Sequence, residues 1–412
     1  MTWKAKVALA MAVALPSVVL RVTGTHLQDL LALLVFGAAV VTAASLLAWA
    51  AEAAEVDISG NLAVAILALI AVLPEFAVDL YFAFTAGSKP QYAAYAAANM
   101  TGSNRLLIGF GWSMAALVFI LAARRRGERV NGERVIEVVL EPQRRIELGF
   151  LGLASIYAVV IPLTRQIGWY DSIVLVGLFA VYMWRVSKTP HDEPDLIGVP
   201  ERIAEQPTGR RRTIVIGLFV FAAGVVLSAA EPFAEALIGT GETLGIDEFL
   251  LVQWLAPLAS EAPELLVAAM FAFRGKGDKG VGTLLSAEVN QWTLLVGMIP
   301  IAFLLGGGGR PLPLDPRQHA EFILTSAQAV LGFAVLSNLR FRFWEALVML
   351  GLFAVQFFIP DPNARMVLAV VYIVIALAML AAYRRHLPPI ARCVWRIGAE
   401  REQAREAASE RR

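Results

Sequence analysis

Long runs of apolar residues, separated by short polar segments, dominate the chain. A helix needs about 20 residues to cross the hydrocarbon core of a bilayer, and most of these runs reach that length. The pattern therefore predicts an all-α membrane protein with about twelve transmembrane helices. The predicted helices are 5–23, 27–51, 59–86, 91–123, 146–164, 169–187, 213–239, 246–273, 279–305, 318–338, 342–360 and 364–383.

Two Pro-Glu dipeptides, Pro74-Glu75 and Pro263-Glu264, fall in the middle of predicted apolar helices. A charged side chain at the bilayer centre costs roughly 2.5–3.5 kcal/mol even on the insertion scale, so such residues need a function or a partner. Proline also frees a backbone carbonyl one turn earlier. Carboxylates and carbonyls are the oxygen ligands of hard cations such as Ca²⁺. We therefore expect Glu75 and Glu264 to be metal ligands; the alternative is a buried polar network that only holds helices together.

The surroundings of the two dipeptides form an internal repeat. Each Pro-Glu helix is followed by a helix with a polar interruption, at 99–104 in the first copy and 286–291 in the second. Both interruptions lead into matching apolar stretches, 106–109 and 294–297. A repeat of five helices is inserted upside down in its second copy, because five is odd. Inverted repeats with interrupted helices near the midplane are typical of secondary transporters.

The repeat predicts how the chain is organised. One extra helix would flank the repeats at each end, although the first segment could instead be a signal peptide. Within the loop after the fourth helix, Asn131-Gly132 suits a tight hairpin turn. The predicted parts are 1–24 (extra helix or signal-like segment), 25–187 (first repeat, with cytoplasmic loop 124–145), 188–212 (cytoplasmic linker), 213–360 (second repeat) and 361–412 (extra helix and charged tail).

The distribution of basic residues predicts the orientation. With the 124–145 loop in the cytoplasm and strict alternation, cytoplasmic segments hold 28 of the 35 Lys and Arg residues and the opposite side holds 6. Because cytoplasmic loops carry the excess of Lys and Arg, both termini are expected to be cytoplasmic, in a multi-pass protein of the cell membrane.

Neutral oxygen ligands are expected from the interrupted helices. Glu261 precedes Glu264 by three residues and shares its helix face, as a ligand or as a protonated neighbour. Asp79 is expected at a solvated rim, with a place in the lining of an outward vestibule as the alternative. Residues near helix ends, either solvated and capping or part of an ion pathway, are Glu52, Glu55, Glu231 and Glu235. The predicted ion-binding residues are Glu75, Asn99, Ser103, Asn104, Ser260, Glu261, Glu264, Glu288 and Asn290.

Arg105 lies directly after this polar set. A guanidinium in the membrane stays charged, so Arg105 is expected to be an internal counter-ion that pairs with one or two of the glutamates. The alternative is that it snorkels or donates to backbone carbonyls.

Composition excludes several other functions. Only 17% of residues are charged, against about 25% in soluble domains, and the net charge of +1 gives no indication of nucleic-acid binding. The single cysteine, Cys393, excludes an internal disulfide. Phosphate-binding glycine loops and zinc motifs are absent. We therefore expect a transporter rather than an enzyme, without cofactor, whose partners are inorganic cations and the lipid bilayer.

In its two Pro-Glu helices and the interrupted helices that follow them, the sequence resembles the Ca²⁺/cation antiporter superfamily, whose best-known members are sodium/calcium exchangers. The chain would be a divergent, prokaryotic-type member. The resemblance covers about residues 27–360 and is specific at 59–112 and 246–300. It implies that Glu75 and Glu264 are principal Ca²⁺ ligands and that Ser103 is the serine of the Gly-Ser-Asn motif.

The sequence also departs from the Gly-Thr-Ser-x-Pro-Glu pattern of that family. Ala71 and Val72 replace both hydroxyl residues in the first copy, whereas the second keeps Ser260 and has Glu261 beside it. Leu107 stands where the family has a second Asn or Asp. These changes weaken the expectation of sodium coupling.

The leading hypothesis is an alternating-access antiporter that exchanges Ca²⁺, or another divalent cation, for Na⁺ or H⁺. One alternative is a proton-coupled exchanger without sodium coupling. Another is a non-transporting receptor or scaffold whose centre is locked by Arg105. An intramembrane enzyme is the least supported, since no nucleophile–base pair is evident.

Overall fold

The computed structural model describes residues 2–57, 72–130, 132–188, 196–309, 311–359 and 361–396. The chain forms two compact units. Unit 1 comprises Met1–Asn99, Val186–Pro263 and Leu305–Gly307, and unit 2 comprises Met100–Arg185, Glu264–Leu304 and Gly308–Arg412.

Helices make up most of both units. In chain order the described α-helices are α1 (Trp3–Thr23), α2 (Asp29–Ala54), α3 (Leu73–Ala86), α4 (Tyr92–Arg105), α5 (Ser113–Arg125), α6 (Arg145–Val160), α7 (Trp169–Val186), α8 (Val199–Ala204), α9 (Thr208–Leu244), α10 (Glu248–Phe273), α11 (Gly277–Asn290), α12 (Val296–Leu305), α13 (Pro316–Leu336), α14 (Phe343–Val355), α15 (Pro362–Ala382) and α16 (Leu387–Trp395). Short 3₁₀ turns lie at Pro142–Arg144, Ile161–Thr164, Gln356–Phe358 and Arg384–His386.

Ten helical segments among the described residues are long and apolar enough to cross a membrane. They are Trp3–Thr23, Asp29–Ala54, Tyr92–Arg125, Pro142–Thr164, Trp169–Val186, Thr208–Leu244, Glu248–Phe273, Gly277–Leu305, Pro316–Leu336 and Pro362–Ala382. A shorter apolar helix covers Phe343–Phe358. The all-helical membrane architecture predicted from hydropathy is thus confirmed, while the number twelve stays a prediction. Part of the predicted helix 59–86 lies outside the described residues, which show its end as α3.

Three short antiparallel strand pairs join loops, and all lie in unit 2. They are β1 (Arg129–Val130) with β2 (Glu133–Arg134), β3 (Glu137–Val139) with β6 (Arg340–Arg342), and β4 (Gln166–Ile167) with β5 (Leu312–Pro313). The β1–β2 pair is the hairpin expected from Asn131-Gly132, and Gly132 has a φ of 83°, which glycine adopts readily.

The core of unit 1 is the packing of α2 against α9. α2 buries alanine and leucine along its length, and Gly37 lies so close to α9 that an added Cβ would be 3.1 Å from Cε2 of Phe233. Arg211, in the first turn of α9, ties the end of α2 through two 2.7 Å hydrogen bonds to Asp57. The predicted linker 188–212 is partly helical, because it contains α8 and the start of α9.

The core of unit 2 is built around α13. Ser326 donates to the carbonyl of Ala158 in α6 over 2.9 Å. Gly332 gives room for the indole of Trp112, whose Cζ3 would lie 2.9 Å from an added Cβ. Small and hydroxyl residues therefore let the helices approach closely, as is common in membrane bundles.

Two π-helical segments interrupt the helices that follow the Pro-Glu helices. Leu106–Trp112 joins α4 to α5, and Gln291–Leu295 joins α11 to α12. The first begins just after the polar interruption 99–104, and the second begins at the last residue of the interruption 286–291. Such segments are rare and often lie at functional sites.

Candidate ion-binding site

Glu75 lies in the first turn of α3 and is only 5% exposed. The sequence placed Pro74-Glu75 at mid-helix, whereas the described helix begins at Leu73, one residue before Pro74. Proline is favoured at a helix start because its missing N–H would have no partner there. The position also suits the carboxylate, since the positive end of the helix dipole stabilises an anion.

Asp79 follows Glu75 by one turn and is completely buried. Nδ2 of Asn99, in α4, donates to Oδ1 of Asp79 over 2.6 Å. The expectation that Asp79 would be a solvated rim residue is therefore wrong. Within the described residues, Oδ2 of Asp79 and Oδ1 of Asn99 have no hydrogen-bond partner. This pair thus places two uncommitted oxygens in the interior of unit 1.

Ser260 and Glu261 of α10 are also buried in unit 1, at 4% and 2% exposure. The hydroxyl of Ser260 is directed at the carbonyls of Ala256, at 3.2 Å, and Pro257, at 3.3 Å. The hydroxyl proton is therefore donated within the helix, and the hydroxyl oxygen can still accept a hydrogen bond or bind a cation.

Glu264, in unit 2, lies in the middle of α10, as predicted from the sequence. It is partly exposed, and its Oε2 has no hydrogen-bond partner among the described residues. α11 packs closely on α10, because an added Cβ at Gly280 would lie 2.7 Å from the carbonyl oxygen of Ala268. On α11, Glu288 is fully buried and Asn290 is 8% exposed.

Ser103 and Asn104, near the end of α4, are fully buried in unit 2. Nδ2 of Asn104 donates to the carbonyl of Met100 over 2.7 Å. Its Oδ1 has no hydrogen-bond partner within the described ranges. The amide is therefore oriented by its own helix and offers an oxygen, as a cation ligand would.

Arg105 forms a buried ion pair with a glutamate outside the predicted ion-binding residues. Its Nη2 lies 2.6 Å from Oε2 of Glu321 in α13, and its Nη1 donates to Oε1 of Gln356 over 2.8 Å. Its Nε also donates to the backbone carbonyl of Thr101 over 3.1 Å. Arg105 therefore donates to a backbone carbonyl, as in the alternative considered from the sequence, in addition to its ion pair. Glu321 accepts a second ion pair from Arg365 of α15.

Glu321 and Arg365 were not among the residues predicted to form a site. Arg105 was expected to pair with one or two glutamates such as Glu75, Glu264 or Glu288, whereas it forms an ion pair with Glu321. The available signal was a Glu and an Arg, Glu321 and Arg365, inside apolar segments that are otherwise nearly free of charge.

A cavity of about 550 Å³ opens in unit 1, between the ends of α1, α2, α4 and α9. Its carboxylates are Asp29, Glu231, Glu235 and Glu242. The hydroxyls of Tyr81 and Tyr92 donate to Oε1 of Glu235 over 2.5 and 2.6 Å, and Arg21 pairs with Glu231. Glu231 and Glu235 do not lie near a helix end as expected, because α9 continues to Leu244. The cavity is acidic overall.

The family model described as sodium/calcium exchanger protein matches residues 29–188 and 214–360. The chain belongs to the sodium/calcium exchanger family. A comparison with curated protein sequences gives no significant match.

Solved structures resemble this exchanger-family chain along most of its length. The crystal structure of the H⁺/Ca²⁺ exchanger CAX has 40% sequence identity and a TM-score of 0.88, and covers 96% of this chain and 98% of its own. Native YfkE has 14% identity and a TM-score of 0.58, over 90% of this chain and 99% of its own. The sodium-calcium exchanger NCX_Mj has 16% identity and a TM-score of 0.54, over 81% and 99%. YfkE and NCX_Mj have the same fold as this chain.

The side-chain oxygen atoms of this exchanger-family chain determine which cations it could bind. No group of three or more His, Cys, Asp or Glu side chains in the described ranges is placed to hold a metal ion. The buried side chains described above offer single carboxylates and neighbouring amide and hydroxyl oxygens. Ca²⁺ binds mixed sets of about 6–8 oxygens.

Proposed function

We propose that the protein is a secondary active antiporter that exchanges Ca²⁺ for H⁺ by alternating access. The observation that carries this proposal is the 40% identity, over 96% of the chain, to the H⁺/Ca²⁺ exchanger CAX. Glu75 and Glu264 are the proposed principal ligands of the transported ion. Further oxygens would come from Asn99, Ser103, Asn104, Ser260, Glu261, Glu288 and Asn290.

The buried carboxylates support proton coupling. Asp79 is fully buried, and its hydrogen-bond partner is the neutral amide of Asn99. An ionised carboxylate in such surroundings is unfavourable unless a cation compensates its charge. A carboxyl group that binds either a proton or Ca²⁺ avoids that charge in both states. Such competition for one group is sufficient to couple the two ions.

Sodium coupling is the second candidate, because the matched family model is that of sodium/calcium exchangers. The first copy of the repeat supports it less, since Ala71 and Val72 offer no side-chain oxygen. The receptor or scaffold alternative depends on Arg105 pairing with the central glutamates, and the ion pair of Arg105 with Glu321 gives it no support.

The acidic cavity of unit 1 is a proposed access route for cations. Its carboxylates Asp29, Glu231, Glu235 and Glu242 would raise the local concentration of divalent cations. We place the protein in the cell membrane with both termini in the cytoplasm, on the basis of the Lys and Arg distribution.

Uptake of ⁴⁵Ca²⁺ by vesicles containing the purified protein tests the proposal. A pH gradient in Na⁺-free buffer should drive uptake, and a Na⁺ gradient at equal pH on both sides should not. The reverse result would establish sodium coupling, and no uptake under either gradient would overturn the antiporter assignment.

Two substitutions test the proposed ligands. Glu264→Gln and Glu75→Gln keep the size of the side chain but remove the charge, so each should abolish driven uptake. Glu133→Gln, on the exposed β2 strand, removes a carboxylate elsewhere and should leave uptake unchanged. Normal uptake by either ligand variant would contradict the assignment of that residue.

A further inference from the structure

The short helix α16 is packed on the membrane-spanning bundle of unit 2 through one face. Ile390, Cys393 and Val394, spaced i, i+3 and i+4, are its buried residues. They lie against α6, where the Val394 side chain fills the space that a Cβ on Gly149 would need. The absence of a side chain at Gly149 therefore lets α16 sit directly on α6.

A buried arginine fixes the C-terminal end of α16. Arg185 of α7 donates from Nη2 to the carbonyls of Cys393, at 2.5 Å, and Arg396, at 3.0 Å, and from Nε to that of Val394, at 3.1 Å. The last carbonyls of a helix have no partner within the helix, and a cation there also complements the helix dipole. Arg185 is only 2% exposed, so this attachment is shielded from water.

The attachment holds α16 beside the ends of two candidate membrane spans. Arg185 is the penultimate residue of the candidate span Trp169–Val186, and α16 follows the candidate span Pro362–Ala382 after four residues. α16 is therefore held between the ends of two spans, at the level where lipid headgroups lie.

The opposite face of α16 consists of Pro388, Ala391, Arg392 and Trp395, spaced i, i+3, i+4 and i+7, and is exposed. Trp395 is 78% exposed. A face that only met water would be expected to be polar along its length. Tryptophan beside arginine is instead typical of helices that lie at a membrane interface.

Basic residues surround this outer face, and no acidic residue occurs between 383 and 396. Arg384, Arg385 and Arg392 are exposed, and among the described residues none of the three takes part in an ion pair. Clusters of arginine next to the end of a membrane span attract anionic lipids electrostatically.

We propose that the outer face of α16, with Arg384 and Arg385, binds the headgroups of anionic phospholipids. The guanidinium groups pair with lipid phosphates, since arginine offers planar, bidentate donors to phosphate oxygens. Trp395 inserts at the boundary between headgroups and acyl chains. The attachment through Arg185 holds this surface at the span ends.

Lipid retention by the full-length protein tests the proposal. The protein is incubated in detergent with equal amounts of phosphatidylcholine and phosphatidylglycerol, and the retained lipids are quantified by mass spectrometry. The wild type should enrich phosphatidylglycerol. The variant with Arg384→Gln, Arg385→Gln and Arg392→Gln should lose this enrichment on the order of tenfold.

A matched control distinguishes loss of this surface from a general loss of positive charge. Arg125→Gln, Arg134→Gln and Arg210→Gln together remove three exposed positive charges elsewhere and should leave the enrichment intact. Equal enrichment in the two triple variants, or no enrichment in the wild type, would overturn the proposal.

The position of Trp395 gives an independent test. A nitroxide on Trp395→Cys, in a Cys393→Ala background, should collide more often with oxygen than with a water-soluble nickel chelate in phosphatidylglycerol-containing vesicles. Collision rates like those of a fully hydrated label would instead show that this face meets water or a soluble partner, and would overturn the proposal.

Discussion

Nη2 of Arg105 and Oε2 of Glu321 lie 2.6 Å apart, and both side chains are almost completely buried. Glu321 also pairs with Arg365, so one carboxylate is shared by two guanidinium groups. Gln356 supplies a further acceptor to Arg105. The cluster connects α4, the helix of Ser103 and Asn104, with α13 and α15, so it fixes the end of α4 just before the first π segment.

The first prediction concerns this cluster. Glu321→Gln leaves two buried arginines without a counter-charge, and breaking a buried pair in this way costs about 3–5 kcal/mol. Arg105→Met leaves the pair Glu321–Arg365 and should cost clearly less. Thermal unfolding in detergent would measure both. Equal losses in the two variants, or none in Glu321→Gln, would show that the shared carboxylate does not organise the cluster.

The second prediction concerns Asp79 and Asn99. Asn99→Ala removes the 2.6 Å donor of a buried carboxylate, which should cost about 1–3 kcal/mol of stability. Asp79→Asn added to Asn99→Ala should recover part of this loss, because a neutral amide is less costly to bury than a carboxylate. Unfolding of the single and double variants gives the coupling between the two sites. Strictly additive effects would mean that the contact contributes nothing.

The third prediction concerns Gly306. The carbonyl oxygen of Phe84, in α3, occupies the place of a Cβ on this glycine, and backbone cannot move aside as a side-chain tip can. Gly306→Ala should therefore destabilise unit 1 by about 1–3 kcal/mol.

Gly351 is the matched control for this substitution. It lies within α14, and an added Cβ would meet nothing within 4 Å. Gly351→Ala should be neutral or stabilising by about 0.5–1 kcal/mol, because alanine favours the helix. Comparable melting temperatures for both variants would disprove the steric argument.

The fourth prediction concerns pH. The hydrogen bonds from Arg211 hold the pKa of Asp57 below its ordinary value of 3.8. A carboxyl group whose pKa is lowered by folding stabilises the folded state above its ordinary pKa, and this contribution disappears as the pH falls through the lowered value. The difference in melting temperature between wild type and Asp57→Asn should therefore be present at pH 6 and shrink below about pH 4. A difference independent of pH would exclude this linkage.

The spans could be predicted from the sequence because hydropathy depends on the chain alone. Long apolar runs have few alternatives to crossing the bilayer, and the position of Pro263-Glu264 within α10 follows from the length of its run. The β1–β2 hairpin follows similarly from local turn chemistry.

The hydrogen-bond and ion-pair partners of the buried charged residues could not be predicted, because they depend on packing between segments distant in the chain. Glu321 lies more than 200 residues from Arg105, and no local pattern links them. Asp79 was misjudged for the same reason, since its burial depends on the approach of α4. The end of α9 was placed too early because its last turns are polar, and polarity there reflects the acidic cavity rather than the end of the helix.

The two π segments have a consequence for how these sequences can change. A π turn contains one more residue than an α turn, so deleting a single residue from Leu106–Trp112 would restore ordinary helical bonding instead of breaking the helix. It would also rotate Ser103 and Asn104 relative to α5 by roughly 100°, the angle of one helical residue. A single-residue deletion at this place would therefore change which side chains α4 presents to the proposed ion site.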